Sequence, residues 1–386
     1  MNTRFVDSSS HSQRDAWVEV DLDAIAHNVA VLRARVAPAR FMAVVKADAY
    51  GHGAVPVARA ALQAGADGLA VALVQEGVEL RRAGIEAPIL VLSEQPERQL
   101  GDLVAHDLIP TVYSAPYIDA LEREVRSRHL SGFEVHLKVD TGMNRVGADV
   151  ADAVERAGRV VACTPTLSLT GVYTHFARAD DADPSFTLQQ LQAFDDAVAR
   201  IRAAGIEVEV EHAANSAAAL LHDSTRRDIV RVGIAMYGID PDPACVDGRW
   251  ELRPALSFAA RVSHVKRVEA GEGISYGSTY ICEQATTIVT VPVGYADGVA
   301  RRSAGIEVLI AGRRHPIVGV VTMDQLMIDC EQDSSVTIGD EVVLIGRQGD
   351  ARVSADEWAD ALGTIGYEIV CGIGPRVFRR LSLIHI

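Results

Sequence analysis

Residues 41–54, FMAVVKADAYGHGA, decide how the chain is read. An apolar run rich in β-branched residues ends on a single lysine, Lys46, and a small turn punctuated by Gly51 and Gly53 follows. Such a run predicts a buried strand that delivers Lys46 to its C-terminal end. An ammonium is costly to bury unless a partner holds it or chemistry removes its charge. From the strand alone two readings stay open. One is a lysine whose stem snorkels along apolar surface; the other is an amine kept for condensation with a carbonyl cofactor. The turn then adds polar groups on Asp48, Tyr50 and His52, and its glycines let the backbone approach a guest closely.

Outward from this stretch a rhythm appears. Apolar β-type runs fall at 41–46, 67–73, 88–92, 108–113, 133–139, 167–174, 207–212 and 229–234. Between them lie segments of helical periodicity, among them 55–64, 74–83, 150–162 and 187–204. Eight strands alternating with helices predict a (β/α)8 barrel of the TIM type within an α/β fold. The first clear helix, 21–36, precedes strand one, with Leu22, Ile25, Val29 and Leu32 on one face and Asp21 or Asp23 as its cap. No clear helix follows strand eight, so the leading helix is expected to fill that place. An open doubly wound sheet would want a G-x-G-x-x-G loop after an early strand, and the chain has none.

Irregular, proline-bearing sequence at 241–249, PDPACVDGR, breaks the rhythm and marks a domain boundary. The expected division is a disordered polar leader at 1–15, a barrel at 16–245 and a C-terminal mostly-β domain at 246–386. A short strand at 17–20 is free to pair with the second domain. That domain reads as short alternating strands with glycine turns, interrupted by one helix at 355–362, where Ser354 and Glu357 make a capping box. The terminal RRLSLIHI reads equally as a strand or a tail.

Composition narrows the function. A net charge of -15 over 386 residues argues against nucleic acid or an anionic membrane as partner. Five scattered cysteines without C-x-x-C spacing indicate neither a disulfide framework nor a metal site. The leader has no apolar core of a signal peptide, and no charge-free apolar run reaches membrane-spanning length. A cytoplasmic enzyme acting on small molecules is expected.

In a parallel barrel the C-terminal strand ends carry the site, and polar groups gather there. Strand five ends in KVDTGMNRVG, strand six in YTHFARAD, strand seven runs into EHAANSAA and strand eight contains IVRVGIAMYG. Taken with KADAYGHG, SYGSTY at 275–280, VTMDQLMID at 321–329 and TIGYE at 364–368, the chain resembles the alanine racemases, fold-type III enzymes of pyridoxal 5'-phosphate. The match runs over nearly the whole length with the motifs in order.

The resemblance implies roles. Lys46 would hold the cofactor covalently, and Tyr50, Asn215, Ser216, Gly233, Ile234 and Tyr367 would serve its phosphate. His175 would lie against the pyridine ring and orient Arg231, whose guanidinium would face the ring nitrogen. A guanidinium only donates and keeps its proton, so that nitrogen would stay unprotonated and the ring would be a weaker electron sink. Racemisation profits from this, because reprotonation at the cofactor carbon is disfavoured. Two acid-base groups on opposite faces of Cα are then needed. Lys46 would serve the D-enantiomer and Tyr276, from the other subunit of a homodimer, the L-enantiomer. Arg145 would support the tyrosine and the substrate carboxylate, with Met323 and Asp324 near that carboxylate. Lys138 matches a lysine that is carbamylated in some members. The sequence departs from common family patterns at Thr322, often cysteine, and Val232, often proline, changes expected to alter packing and substrate tolerance.

The implied function is racemisation of alanine, supplying D-alanine for peptidoglycan, with no metal. The alternatives are a serine or broad-specificity racemase, whose secreted form the missing signal peptide disfavours, a fold-type III decarboxylase, and a cofactor-binding barrel without activity.

Overall fold

The apolar runs form eight parallel strands: β1 (Arg40–Val44), β2 (Gly68–Val71), β3 (Ile89–Val91), β4 (Ile109–Val112), β5 (Phe133–Asp140), β6 (Leu167–Tyr173), β7 (Val210–His212) and β8 (Ile229–Val232). This computed structural model describes residues 4–6, 14–241, 249–331 and 335–383. Each strand pairs with the next, and β8 closes on β1 with Arg231 opposite Met42, so the sheet is a closed barrel. Closure removes the edge strands and buries both faces, which is why the strands are almost continuously apolar. Within the larger of two compact units, residues 25–49 and 54–252, helices such as Ala54–Gln63, Val74–Arg82, Ala115–Ser127 and Ser185–Ala203 cover the outside.

The leading helix, Leu22–Val36, starts where Asp21 Oδ1 accepts from the Ala24 amide at 2.9 Å, so of the two candidate caps Asp21 is used. After β8 the chain makes only a short 3-10 turn, Ile234–Tyr237. Buried Asn28 of the leading helix donates to the Met236 carbonyl of that turn at 3.0 Å. A helix from before strand one thus covers the place after strand eight.

The other unit comprises residues 1–24, 50–53 and 253–386. One sheet runs through it in the order Arg4–Val6, Phe378–Leu383, Ala16–Asp21, Leu256–Arg261, Glu341–Gln348, Glu307–Ile310, Arg313–Val318, Leu326–Asp329, Thr286–Val291, His264–Val268. All these pairings are antiparallel except that of Ala16–Asp21 with Phe378–Leu383. The terminal RRLSL is therefore strand. The helix Ala355–Leu362 has the expected capping box: Ser354 Oγ accepts from the Glu357 amide at 3.0 Å, and Glu357 accepts from the Ser354 amide at 3.1 Å.

A second helix, Gly366–Gly372, corrects the expectation of a single one. Glycines at both its ends and β-branched residues within give it little intrinsic propensity, so only packing forms it. Residues 1–3 and 7–13 of the leader, 242–248 of the expected linker with Cys245, and 384–386 lie outside the described residues.

Candidate active site

Lys46 follows β1 directly, half-buried at the C-terminal rim of the barrel. The turn it opens, Lys46–Gly51, is wound left-handed: Ala47, Asp48, Ala49 and Tyr50 have φ between +51° and +54°, and Gly51 has +80°. Each non-glycine residue in this conformation costs about 1–2 kcal/mol, so the surroundings must hold it. Glu76, after β2, does part of this: Oε1 accepts from the Ala47 amide at 2.6 Å while Oε2 accepts from Ala72 and Leu73 at 2.8 and 3.0 Å. Asp48 accepts from the Ala54 amide at 2.7 Å and closes the turn. Backbone strain of this size is characteristic of functional positions.

Arg231, on β8 and 3% exposed, makes four side-chain hydrogen bonds inside the barrel. Its Nη2 donates to the carbonyls of Thr174 at 2.7 Å and Ala213 at 3.1 Å and lies 3.2 Å from His175 Nδ1. Its Nη1 lies 2.9 Å from His212 Nδ1. Because a guanidinium only donates, both Nδ1 atoms accept, and neutral His212 carries its proton on Nε2. That proton reaches His136 Nδ1 at 2.9 Å. Tyr173 stacks on His212 at 4.5 Å, lies 5.0 Å from the guanidinium, and meets Thr111 Oγ1 at 2.7 Å and the Leu92 carbonyl at 2.9 Å. Thr111, His136, Tyr173, His212 and Arg231 come from β4 to β8, and contacts between non-adjacent strands place them inside the barrel as one polar layer.

Electrostatics agree with neutral imidazoles. Burial and the Arg231 charge pull His136 down to about 4, and burial, then Arg231, hold His212 well below the ordinary range. His175, at the rim after β6, is held well below it by burial and by Arg231, Lys138, Arg145 and Lys46 in turn. The charges of four cationic side chains thus all act against protonation of this imidazole. Lys138, buried on β5, donates to the Val146 carbonyl at 2.7 Å and is pulled down to about 8 by burial, then by Arg145 and Arg231.

Arg145 is exposed on the loop after β5. Asp140 organises that loop: Oδ1 accepts from the amides of Gly142, Met143 and Asn144 at 2.9, 2.9 and 3.1 Å, and Oδ2 from Arg145 at 3.1 Å. A Cβ on Gly147 would sit 2.8 Å from the Asp140 amide nitrogen, which keeps this return tight. After β7, Asn215 caps the helix Ser216–Leu221 by accepting from Ala218 at 3.0 Å. Ser216 Oγ accepts from the Gly233 amide at 3.0 Å, tying the ends of β7 and β8 together beside Ile234.

The structure thus gathers Lys46, Lys138, Arg145, His175, Asn215, Ser216, Arg231, Gly233 and Ile234 in the barrel unit, most of them at strand ends. Tyr50, Tyr276, Met323, Asp324 and Tyr367 belong to the other unit. There the rings of Tyr50 and Tyr367 are 6.1 Å apart, and burial, then Tyr367, push the Tyr50 phenol up. Arg379 ties Gly51 in by donating to its carbonyl at 3.1 Å. Tyr276 is 71% and Met323 52% exposed. Asp324 pairs with Arg376 at 2.7 Å. Thr322 locks its own turn, donating to the Gln325 carbonyl at 2.9 Å and accepting from the Gln325 amide at 3.2 Å.

Sequence reading missed Thr111 and His136, and it gave Asp140, Tyr173 and His212 no role of their own although they stand in the strand-end motifs. A signal was available, since a lone polar side chain in an apolar barrel strand must find a partner inside. Among the described residues no cluster of histidine, cysteine or acidic side chains is arranged to hold a metal, and no helix is long and apolar enough to cross a membrane.

A closed parallel barrel with a lysine and a cation-rich rim at its C-terminal face, joined to a mostly-strand unit, defines a two-domain barrel enzyme. Residues 20–241 match the family model for the alanine racemase N-terminal domain and 255–381 the model for the C-terminal domain. The chain is 49% identical to the alanine racemase of Symbiobacterium thermophilum, over 95% of this chain and 97% of that one. It resembles the crystal structure of the alanine racemase from D-cycloserine-producing Streptomyces lavendulae with a TM-score of 0.93 and 39% identity, over 97% and 99% of the two chains. The Bacillus anthracis alanine racemase with bound L-Ala-P superposes with a TM-score of 0.89 at 43% identity, over 96% of each chain. The chain belongs to the alanine racemase family.

Proposed function

We propose that the protein interconverts L- and D-alanine with pyridoxal 5'-phosphate as cofactor, in the cytoplasm, where D-alanine serves peptidoglycan synthesis. The observation that carries this reading is the buried Arg231 guanidinium, held by the Thr174 and Ala213 carbonyls and by Nδ1 of His175 and His212, in a barrel whose rim carries Lys46 directly after β1. Such a rim suits a guest bearing phosphate and carboxylate groups. The residues fit the cofactor: an amine at a strand end, a donor-only guanidinium on a buried scaffold, and Ser216 and Gly233 where barrels hold phosphate.

When bound, the cofactor supplies an aldehyde that takes up an amine and a ring that spreads negative charge from the substrate Cα. Lys46 would hold the cofactor and would act as the base at one face of Cα. Arg231, fixed by four acceptors, would hold the cofactor through its ring nitrogen, with His175 helping to orient it. Tyr50, Asn215, Ser216, Gly233, Ile234 and Tyr367 keep the phosphate roles that the family resemblance gives them. Tyr276, exposed on the unit that lacks Lys46, serves the second face in the barrel of a partner copy, so the working form is a homodimer. Lys46 removes the proton of D-alanine and Tyr276 that of L-alanine. Arg145 supports Tyr276 and the substrate carboxylate, Met323 and Asp324 lie near that carboxylate, and Lys138 is the lysine open to carbamylation.

The test is Cα proton exchange followed by NMR in deuterated water, with purified protein, added pyridoxal phosphate and single enantiomers of alanine, serine and lysine, alongside chiral analysis. Rapid exchange with loss of optical purity for alanine alone supports the proposal. Equal turnover of serine or lysine replaces it with a broader racemase; cofactor binding without exchange of any substrate refutes racemisation.

A further inference from the structure

Tyr276 sits on a short arm, residues 269–282, that leaves the sheet after His264–Val268 and returns before Thr286–Val291. The arm is a narrow hairpin in which Gly273 pairs with Ile281 and Ile274 with Tyr280. Its tip is held in conformations L-residues avoid: Ser275 has φ +63°, Gly277 +74° and Ser278 +46°. An exposed, strained tip keeps a defined shape only if its base over-determines it.

The base does so through three contacts. Ser275 Oγ donates to the Val320 carbonyl at 2.6 Å. Backbone bonds from Gly271 to the Cys282 carbonyl, 2.7 Å, and from Cys282 to the Glu272 carbonyl, 2.9 Å, close the neck. The third contact is a charge-assisted hydrogen bond between side chains: Tyr280 Oη donates to Asp329 Oδ2 at 2.6 Å. Asp329 is buried at the end of the strand Leu326–Asp329, and its Oδ1 also accepts from Thr286 Oγ1 and from the Glu331 amide at 2.7 Å. The Tyr280 ring packs on the apolar cluster of Val268, Ile274, Cys282, Ile288 and Val318. The hydroxyl is therefore the polar end of a side chain whose body is already placed, and the carboxylate belongs to a rigid sheet.

We propose that the Tyr280–Asp329 pair is a latch that fixes the position of Tyr276, making Tyr280 a positioning residue for proton transfer at the L-face of the substrate. This rests on the role assigned to Tyr276 above. The hydrogen bond to a carboxylate is of the strong, short kind, and it sits directly across the hairpin from Ile274, two residues before Tyr276. Releasing it frees the tip without removing the base.

Tyr280→Phe keeps the ring and deletes the latch. In the full-length protein without cofactor, hydrogen exchange at amides 273–282 is expected to quicken about 10-fold while the rest of the sheet is unchanged. In the cofactor-loaded enzyme, turnover is expected to fall on the order of 10-fold. The primary isotope effect with Cα-deuterated L-alanine should rise relative to that with deuterated D-alanine. A loss of folded protein moves neither isotope effect. Unchanged exchange in the arm, or faster exchange with unchanged isotope effects, overturns the latch, provided Tyr276→Phe made alongside is inactive. An active Tyr276→Phe overturns the assignment of Tyr276 and the latch with it. Should Tyr280→Phe not fold, Asp329→Asn decides in its place: it keeps an acceptor for the hydroxyl but removes the charge, and the same two readouts must move in the same direction.

Discussion

Arg231 Nη1 and His212 Nδ1 are 2.9 Å apart in a fully buried contact, and His212 Nε2 is 2.9 Å from His136 Nδ1. The guanidinium has no acceptor, so the direction of both bonds follows from chemistry alone: Arg231 donates to His212, which donates to His136. Imidazole nitrogen NMR should therefore find both rings neutral with the proton on Nε2. A charged ring, or a proton on His212 Nδ1, would contradict this order. Replacing His212 with alanine leaves Arg231 and His136 short of a buried partner and should cost about 1–3 kcal/mol of stability, measured by denaturant unfolding.

The same histidines set a pH dependence. His136 is held to about 4 against an ordinary 6.5, so between those values the unfolded chain binds a proton that the folded one refuses. Stability is then complete above about pH 6.5 and is lost as pH falls toward 4. His212 and His175, shifted the same way, add to the loss. Unfolding curves across pH 4 to 7 should show stability rising with pH by a few kcal/mol; a flat profile would mean the folded rings take up protons as readily as the unfolded ones.

Gly171, on β6, faces His136 so closely that a Cβ there would lie 2.8 Å from three ring atoms. Gly171→Ala must push the ring off His212 and should destabilise by about 1–3 kcal/mol. Gly158, inside the helix Ala153–Ala162, meets nothing nearer than 4.0 Å, and Gly158→Ala should stabilise by about 0.5–1 kcal/mol through helix propensity. Thermal unfolding of the two variants should move the melting temperature in opposite directions.

Lys138, pulled down to about 8, has a large neutral fraction in mildly alkaline solution. A neutral amine adds carbon dioxide, and the resulting carbamate would trade a buried positive charge beside Arg145 and Arg231 for a negative one. Carbon NMR with labelled bicarbonate should show one carbamate signal that Lys138→Gln abolishes. Its absence at alkaline pH would leave Lys138 a plain amine.

Complementation tests the shared site. Lys46→Ala and Tyr276→Phe chains, each inactive, should regain part of the activity on mixing, because one hybrid site recovers both bases. No recovery, with subunit exchange shown to occur, would place both bases within one chain.

Much of this was legible in the chain. The eight apolar runs became the eight barrel strands within a few residues at each end, Asp21 and Ser354 cap the helices their positions suggested, and the leading helix lies against the turn after β8. The helix Gly366–Gly372 was not legible, because its residues favour no helix on their own. Nor was the left-handed winding of residues 47–50, since alanine, aspartate and tyrosine carry no sign of a positive φ.

What the sequence determined by itself was periodic and local: strand after helix after strand, the cap residues, and a lysine at the end of the first strand. Hydrophobic spacing and side-chain chemistry act between near neighbours, so they can be read in order along the chain. Tertiary structure alone decided that Thr111, His136, Tyr173, His212 and Arg231 share one buried layer, and that Tyr280 reaches Asp329. Those partners lie 19 to 76 residues apart, and which of them meet depends on barrel closure and strand register, where a slip of one residue turns every side chain to the opposite face.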